Sequence, residues 1–422
     1  MAVSRGQKQI FDFAELVTLQ GAAAKDGRRV QEKDLSVISQ ARMLVVGGEI
    51  VWLGRQKNFK ASLLKPFGGA KAFRQHSFKD SCALPGFVEC HSHLVFAGSR
   101  QQEFEERNRG VSYEQIAQKG GGILSTVRAT RRASTQELLS LAQDRAQRFL
   151  RQGVTVLEVK SGYGLSRAAE IKMLEVAQKI RGPEIVPTFL GAHARPPEFS
   201  SADEYIQYLM DKVLPLIHKK GLARRIDIFW DKGYFHSPAA KSFLLQAQKM
   251  GFEICGHVDQ LHSLGGVREL LELRSLSLDH VVQLSDPDLT RLARSSSTAV
   301  LLPGADFYLR MKYPPARRLI DEGARVALAT DFNPGSCPTQ DLSLIGVLAR
   351  LEMKMTLPEV LTAYTYGGAA ALGLQSRRGS LEPGKSADFV LLKGGWQDLF
   401  YSVGHHPVTE VWLAGRKKSF AF

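Results

Sequence analysis

Five histidines and one aspartate of this 422-residue chain sit where side chains could converge on a metal ion. His91 and His93 share the segment LPGFVECHSHLV, His193 ends TFLGAH, His257 ends FEICGH, His280 lies in LSLDHVV, and Asp331 follows RVALAT. Each segment is a short apolar run, and in a strand the residues at i and i+2 project to one face. His91 and His93 are therefore expected to point together into an interior. Imidazole is the commonest metal-binding side chain, and a carboxylate is a compatible fourth donor. Alone, an HxH pair is a moderate signal. With five of the chain's 11 histidines and an aspartate at the ends of different apolar runs, chance is a poor account. The other six, His76, His218, His236, His262, His405 and His406, fall in loops, helices or flanks, where surface or local structural roles are expected.

The elements that must position these residues follow a rhythm. Apolar runs at 84–95, 154–159, 185–193, 226–230, 252–257, 276–282, 299–302 and 325–330 read as eight strands. Helix-like stretches at 166–181, 237–250 and 314–323 lie between them; the second has Pro238 in its first turn and Gly251 past its end. Alternating β and α units predict one (β/α)₈ TIM-like barrel over 84–378, with its chemistry at the C-terminal ends of the strands. Residues 1–83 and 379–422 break the rhythm. RMLVVGGEIVWLG and VTEVWLAGRK are β-like with Gly turns, so both termini are expected to build one small β-sandwich domain. A doubly wound open sheet is the weaker alternative, because no Gly-rich dinucleotide loop is present.

Composition narrows the function classes. An apolar fraction of 44% with 23% charged residues suits a globular protein with a sizeable core. The net charge of +14 is spread over short groups such as Arg131–Arg132 and Lys417–Lys418, not gathered into runs interleaved with aromatics. A basic surface that attracts an anionic small molecule fits better than a nucleic-acid face. Four cysteines without a CxxC pair fit a reducing compartment. The N-terminal segment has no apolar signal region and no run approaches 18 apolar residues, so a cytoplasmic protein without a membrane span is expected.

PGFVECHSHLVFAGSR, GGGILSTVRATR, EVKSGYGL, TFLGAHARPPE, TAVLLPGADFYL and ATDFNPGS occur in that order between about residues 84 and 385. Together they resemble the imidazolonepropionase family of the amidohydrolase superfamily, which acts third in histidine degradation. The resemblance implies a single zinc or iron ion held by His91, His93, His257 and Asp331. It implies substrate contacts at Arg100, Tyr163, His193, Gln260, Asn333, Gly335 and Ser336, with His280 beside the reacting carbonyl. It also implies a homodimer. Some relatives carry Glu where Gln260 stands; Gln cannot exchange a proton, so here it would hold substrate by hydrogen bonds alone. Glu89-Cys90 replaces the more usual Asp-Pro, and Cys90 should alternate with His91 and face away from the ion. Lys160 could face the barrel mouth, but the likeness to a one-metal enzyme argues against a bridging lysine.

The implied reaction opens the cyclic amide of 4-imidazolone-5-propanoate with a metal-activated water, giving N-formimidoyl-L-glutamate. Neutral water is a poor nucleophile, and a bound metal lowers its pKa from 15.7 to about 7. Asp331 is expected to shuttle the proton, and His280, with His193 as a second candidate, to stabilise the oxyanion. Arg100 suits the propanoate because a guanidinium grips a carboxylate with two parallel hydrogen bonds. The alternative is another mononuclear amidohydrolase, such as a heterocycle deaminase, which would share the metal ligands without needing Arg100.

Overall fold

The computed structural model describes residues 6–111, 115 and 121–419; Gly120, the first residue of GGGIL, lies outside them. The chain opens with strands β1 (Lys8–Val17), β2 (Val37–Val46), β3 (Glu49–Arg55) and β4 (Arg74–Pro85). Gly47 and Gly48 join β2 to β3 with φ of 63° and 88°. A tight hairpin needs positive φ at both central residues, which is why glycines stand there.

Eight parallel strands follow: β5 (Phe87–Glu89), β6 (Val154–Lys160), β7 (Glu184–Ala192), β8 (Arg225–Trp230), β9 (Glu253–Val258), β10 (Ser277–His280), β11 (Thr298–Leu301) and β12 (Arg325–Leu328). Each pairs with the next in chain order. Two backbone hydrogen bonds beyond the strand ends bring the first and last together: Asp331 N–H to His91 O at 3.1 Å and His93 N–H to Phe332 O at 2.9 Å. The expected barrel is therefore present, and the bonds that draw it closed run between the segments that carry His91, His93 and Asp331.

Helices cover its outside, and their starts are legible. Ser134, Ser166 and Ser237 accept backbone N–H groups from Glu137, Ala169 and Ala240, capping Thr135–Arg151, Arg167–Lys179 and Pro238–Lys249. Such caps are each worth about 1 kcal/mol. The third expected stretch is the shorter helix Ala316–Glu322, ended by Gly323 at φ 98°.

The chain returns through β13 (Phe389–Leu392), β14 (Val408–Leu413) and β15 (Arg416–Lys417) to the sheet of the N-terminal strands, in the order β15-β14-β13-β4-β1-β2-β3. The termini thus share one small β unit. Its seven strands join in one continuous hydrogen-bonded sheet. Phe11, Phe13, Phe389 and Trp412 belong to one of its apolar clusters, and Ile10, Leu44, Leu64 and Phe73 to another.

The expected first barrel strand, 84–95, is divided. Leu84 and Pro85 end β4, Phe87–Glu89 form β5, and His91 and His93 lie just past the strand. Gly86 makes the switch: a Cβ there would stand 2.2 Å from Thr155 Cγ2.

Candidate metal centre and substrate cavity

His91 and His93 still point the same way, because the extended backbone continues beyond β5. Ser92 between them turns outward and donates to Glu158 O at 2.5 Å. Cys90 is buried with Val88, Val156 and Ala327 in an apolar cluster, away from the histidines. His257 arrives from β9 and Asp331 from the turn after β12. Candidate ligand atoms of His91, His93 and His257 lie within 4.8 Å of one another. Asp331 Oδ1 is 3.4 Å from both His91 Nε2 and His93 Nε2. Four donors each about 2.1 Å from a tetrahedral ion stand about 3.4 Å apart, so the spacing is that of a coordination shell.

The unused valences point to the same ion. His91 Nε2 and His257 Nε2 are buried without a hydrogen-bond partner among the described residues. Their Nδ1 atoms are held from behind, His91 by Asp279 Oδ2 at 2.7 Å and His257 by Asp227 Oδ1 at 3.1 Å. A carboxylate behind a histidine fixes its tautomer and leaves the other nitrogen's lone pair for a metal. Three imidazoles and a carboxylate so arranged fit a divalent ion. Burial works against charge on Asp331, yet His91 and His93 hold its carboxyl well below the usual range. Asp331 and His280 have positive φ of 54° and 74°, uncommon for side-chain-bearing residues, which marks the rim as locally strained. Glu89 ties two ligand segments together, accepting from His91 N–H at 3.2 Å and Thr330 N–H at 3.1 Å.

A cavity of about 460 Å³ opens above this cluster. His93, His257, His280, Asp331, Arg100, Tyr163, His193, Gln260, Asn333, Gly335 and Ser336 all line it; His91, fully buried, does not. Burial depresses the pKa of both His193 and His280 well below the ordinary imidazole value, so both are neutral near pH 7. His193 Nδ1 lies 3.1 Å from Gly162 O. A carbonyl only accepts, so the proton is on Nδ1 and Nε2 is left as an acceptor.

The loops that carry these residues are tied down. Glu170 accepts from Gly162, Gly164 and Leu165 N–H at 3.1, 2.8 and 2.8 Å, cradling the turn that presents Tyr163. Asp231 accepts from Leu261 N–H at 2.8 Å and His262 Nδ1 at 3.0 Å, anchoring the loop of Gln260. Asn333 is spent on its own loop: its oxygen accepts from Gly335 and Ser336 N–H, and its nitrogen donates to Asp331 O and Ser336 Oγ. Arg100 Nε donates to Glu103 Oε2 at 2.7 Å.

The Amidohydrolase family pattern matches residues 82–418. The imidazolonepropionase of Bdellovibrio bacteriovorus is 53% identical over 406 residues, covering 96% of this chain and 95% of that one. The chain belongs to the imidazolonepropionases of the amidohydrolase family. The imidazolonepropionase of Bacillus cytotoxicus is 40% identical over 401 residues, covering 93% of this chain and 92% of that one. The chain is accordingly a hydrolase acting on C–N bonds. Among solved structures, a zinc-bound adenosine deaminase from Xanthomonas campestris is similar with a TM-score of 0.71 at 19% identity, covering 98% of this chain and 93% of that one. The E. coli guanine deaminase has a TM-score of 0.66 at 16% identity, covering 99% and 100%. At such identities the likeness is one of fold.

Beneath the histidines this amidohydrolase carries a charged layer that sequence reasoning missed. Alternate strands β6, β8 and β10 supply Glu158 and Lys160, Arg225 and Asp227, and Asp279, all buried. Lys160 does not line the cavity; it pairs with Asp227 Oδ2 at 2.7 Å, Glu158 Oε2 at 3.0 Å and Asp279 Oδ2 at 3.4 Å. Burial opposes the charge of Asp227, but His257 and Lys160 hold its carboxyl well below the usual range. A signal was available: charges inside apolar strands (EVK, RIDIFW, SLDH) must find partners, because burying them alone is costly. Arg107, Phe229, Tyr234 and Met311 on the cavity wall were also missed, and nothing in their local sequence marks them.

Proposed function

We propose that the chain hydrolyses the cyclic amide of 4-imidazolone-5-propanoate to N-formimidoyl-L-glutamate, using one zinc or iron ion held by His91, His93, His257 and Asp331. The observation that carries this is one cavity joining His93, His257 and Asp331 of that donor set to Arg100. A deaminase of a neutral heterocycle has no need of a guanidinium there. The names of the relatives support the same substrate.

When bound, the ion supplies Lewis acidity that makes hydroxide available near neutral pH. The remaining work falls to side chains. Arg100 binds the propanoate, and Tyr163 adds a hydroxyl donor. His193, a neutral acceptor at Nε2, takes a hydrogen bond from a ring N–H, so the task of stabilising the oxyanion passes to His280. Neutral His280 has one N–H to donate to the carbonyl oxygen as charge develops there. Asp331 accepts the proton of the attacking water and delivers it to the departing ring nitrogen, a role typically worth about 10² to 10⁴ in rate. Gln260 hydrogen-bonds the substrate, and Gly335 and Ser336 form the wall beside Arg100, with Asn333 fixing their loop.

The proposed enzyme is a cytoplasmic homodimer, with a barrel domain over 84–378 and a small domain from 1–83 and 379–422. Strand β4 ends at Pro85, two residues past the first of these boundaries. No helix among the described residues is long and apolar enough to cross a membrane.

Metal analysis of purified protein beside turnover assays on 4-imidazolone-5-propanoate and on guanine, cytosine and adenosine tests the proposal. Formimidoylglutamate formation that is lost on chelation and restored by zinc or iron is expected. Ammonia release from a neutral heterocycle, with no turnover of the imidazolone, would overturn it.

A further inference from the structure

Lys160 sits at the end of β6 with its ammonium among three buried carboxylates, those of Asp227, Glu158 and Asp279. Two of these form a second group with the geometry of a cation site: ligand atoms of Asp227, His257 and Asp279 lie within 4.8 Å of one another. The two groups share His257. Asp279 Oδ1 is buried without a hydrogen-bond partner among the described residues. Arg225, the other cation of the layer, reaches Glu158 Oε1 at 3.3 Å and donates to Ala371 O, so it serves Glu158 rather than the two aspartates. Three carboxylates this close require a compensating cation. Asp227 and Asp279 are also the groups that hold His257 and His91 from behind, so whatever balances them also aims two donors of the centre.

We propose that Lys160 is a positioning residue whose ammonium takes the place a second divalent ion would otherwise fill, limiting the centre to one ion while anchoring the carboxylates behind His91 and His257. The proposal rests on the one-ion centre argued above. A tethered ammonium adds one positive charge beside His257; a divalent ion there would add two and could share that histidine with the first ion only by displacing to solvent the Nδ1 proton that Asp227 holds. Covalent attachment also makes the balance independent of the metal supply.

Zinc titration of metal-stripped full-length chains, with bound equivalents counted by elemental mass spectrometry and folding followed by circular dichroism and thermal melting, tests it. Wild type is expected to bind one equivalent, and so is Lys160→Met, which fills the same space without charge and melts lower because its buried carboxylates lose their cation. Lys160→Ala, which leaves the carboxylates and opens room among them, is expected to bind two. Zinc beyond the first equivalent should raise the melting temperature of Lys160→Ala by several degrees and leave that of Lys160→Met unmoved. A folded Lys160→Ala chain that binds one equivalent and shows no such rise overturns the proposal. So does one that stays unfolded at every zinc level, since an ion able to replace the ammonium would restore the fold. The wild-type count judges the one-ion centre separately: two equivalents or none in wild type would sink that centre whatever the variants do.

Discussion

The Arg100 guanidinium approaches Gly335 with its Nη1 end, so close that a Cβ built on the glycine would stand 2.0 Å from Nη1 and 2.8 Å from Cζ. What glycine supplies there is room for the guanidinium and not backbone freedom, since Gly335 is not among the residues with positive φ. Gly335→Ala should therefore push the guanidinium off its seat and raise KM for the carboxylate-bearing substrate by about 10-fold or more, a loss of about 1.4 kcal/mol. The turnover number should change less. Arg100→Lys should raise KM in the same direction, because an ammonium cannot reproduce the paired hydrogen bonds. Steady-state kinetics of both variants checks this; a KM that stays put in both means the anion is gripped elsewhere.

In the proposed mechanism Asp331 combines two duties, donor to the ion and carrier of the proton. Asp331→Asn keeps the shape and one oxygen but cannot take up a proton. At saturating zinc, kcat should fall by about 10² to 10⁴ while the melting curve stays close to wild type. Turnover near the wild-type rate in a zinc-loaded variant would remove the proton role from Asp331.

What the sequence disclosed and what it hid follow from range. His91 and His93 were legible because two-residue periodicity is local, and His257 and Asp331 because each closes an apolar run. The serine caps at 134, 166 and 237 are local too. The charged layer showed only as charges inside apolar strands; beyond Glu158 and Lys160, two residues apart, its pairings were not legible, because Lys160 meets Asp227 and Asp279 only once the barrel curls three alternate strands inward. The divided run at 84–95 misled for a related reason. The apolar run continues through Leu84, Phe87 and Val88, while the change of sheet depends on how closely Gly86 approaches Thr155, a contact with a distant strand.

Glu170 is a positioning residue for the loop of Tyr163 and, through Gly162 O, for His193. Its Oε1 accepts from Gly164 and Leu165, and its Oε2 accepts from Gly162. Glu170→Gln must set an NH₂ group against at least one of those N–H groups, leaving two donors face to face. A stability loss of about 1 to 3 kcal/mol is expected, the usual range for a buried polar group left unsatisfied. KM should rise more than kcat falls, because Tyr163 and His193 line the cavity and are proposed to bind substrate. Thermal melting with steady-state kinetics checks both; a variant with wild-type KM would show that the loop holds its shape without the cradle.

Asp306 is 1% exposed, and neither carboxyl oxygen has a hydrogen-bond partner among the described residues. Burial first, and then the charge of Asp331, push its pKa from 3.8 up to about 8. A group raised on folding contributes fully to stability only below its unfolded pKa, and the contribution is lost as pH climbs to the folded value. The loss accrues at about 1.4 kcal/mol per pH unit across that window and stops growing above it. Asp306→Asn cannot ionise and escapes the loss. Its melting temperature should lie near wild type at about pH 4 and clearly above it at pH 8, with the gap widening between. A gap that does not change with pH would mean that folding leaves the Asp306 pKa unshifted, and the argument from burial would fail.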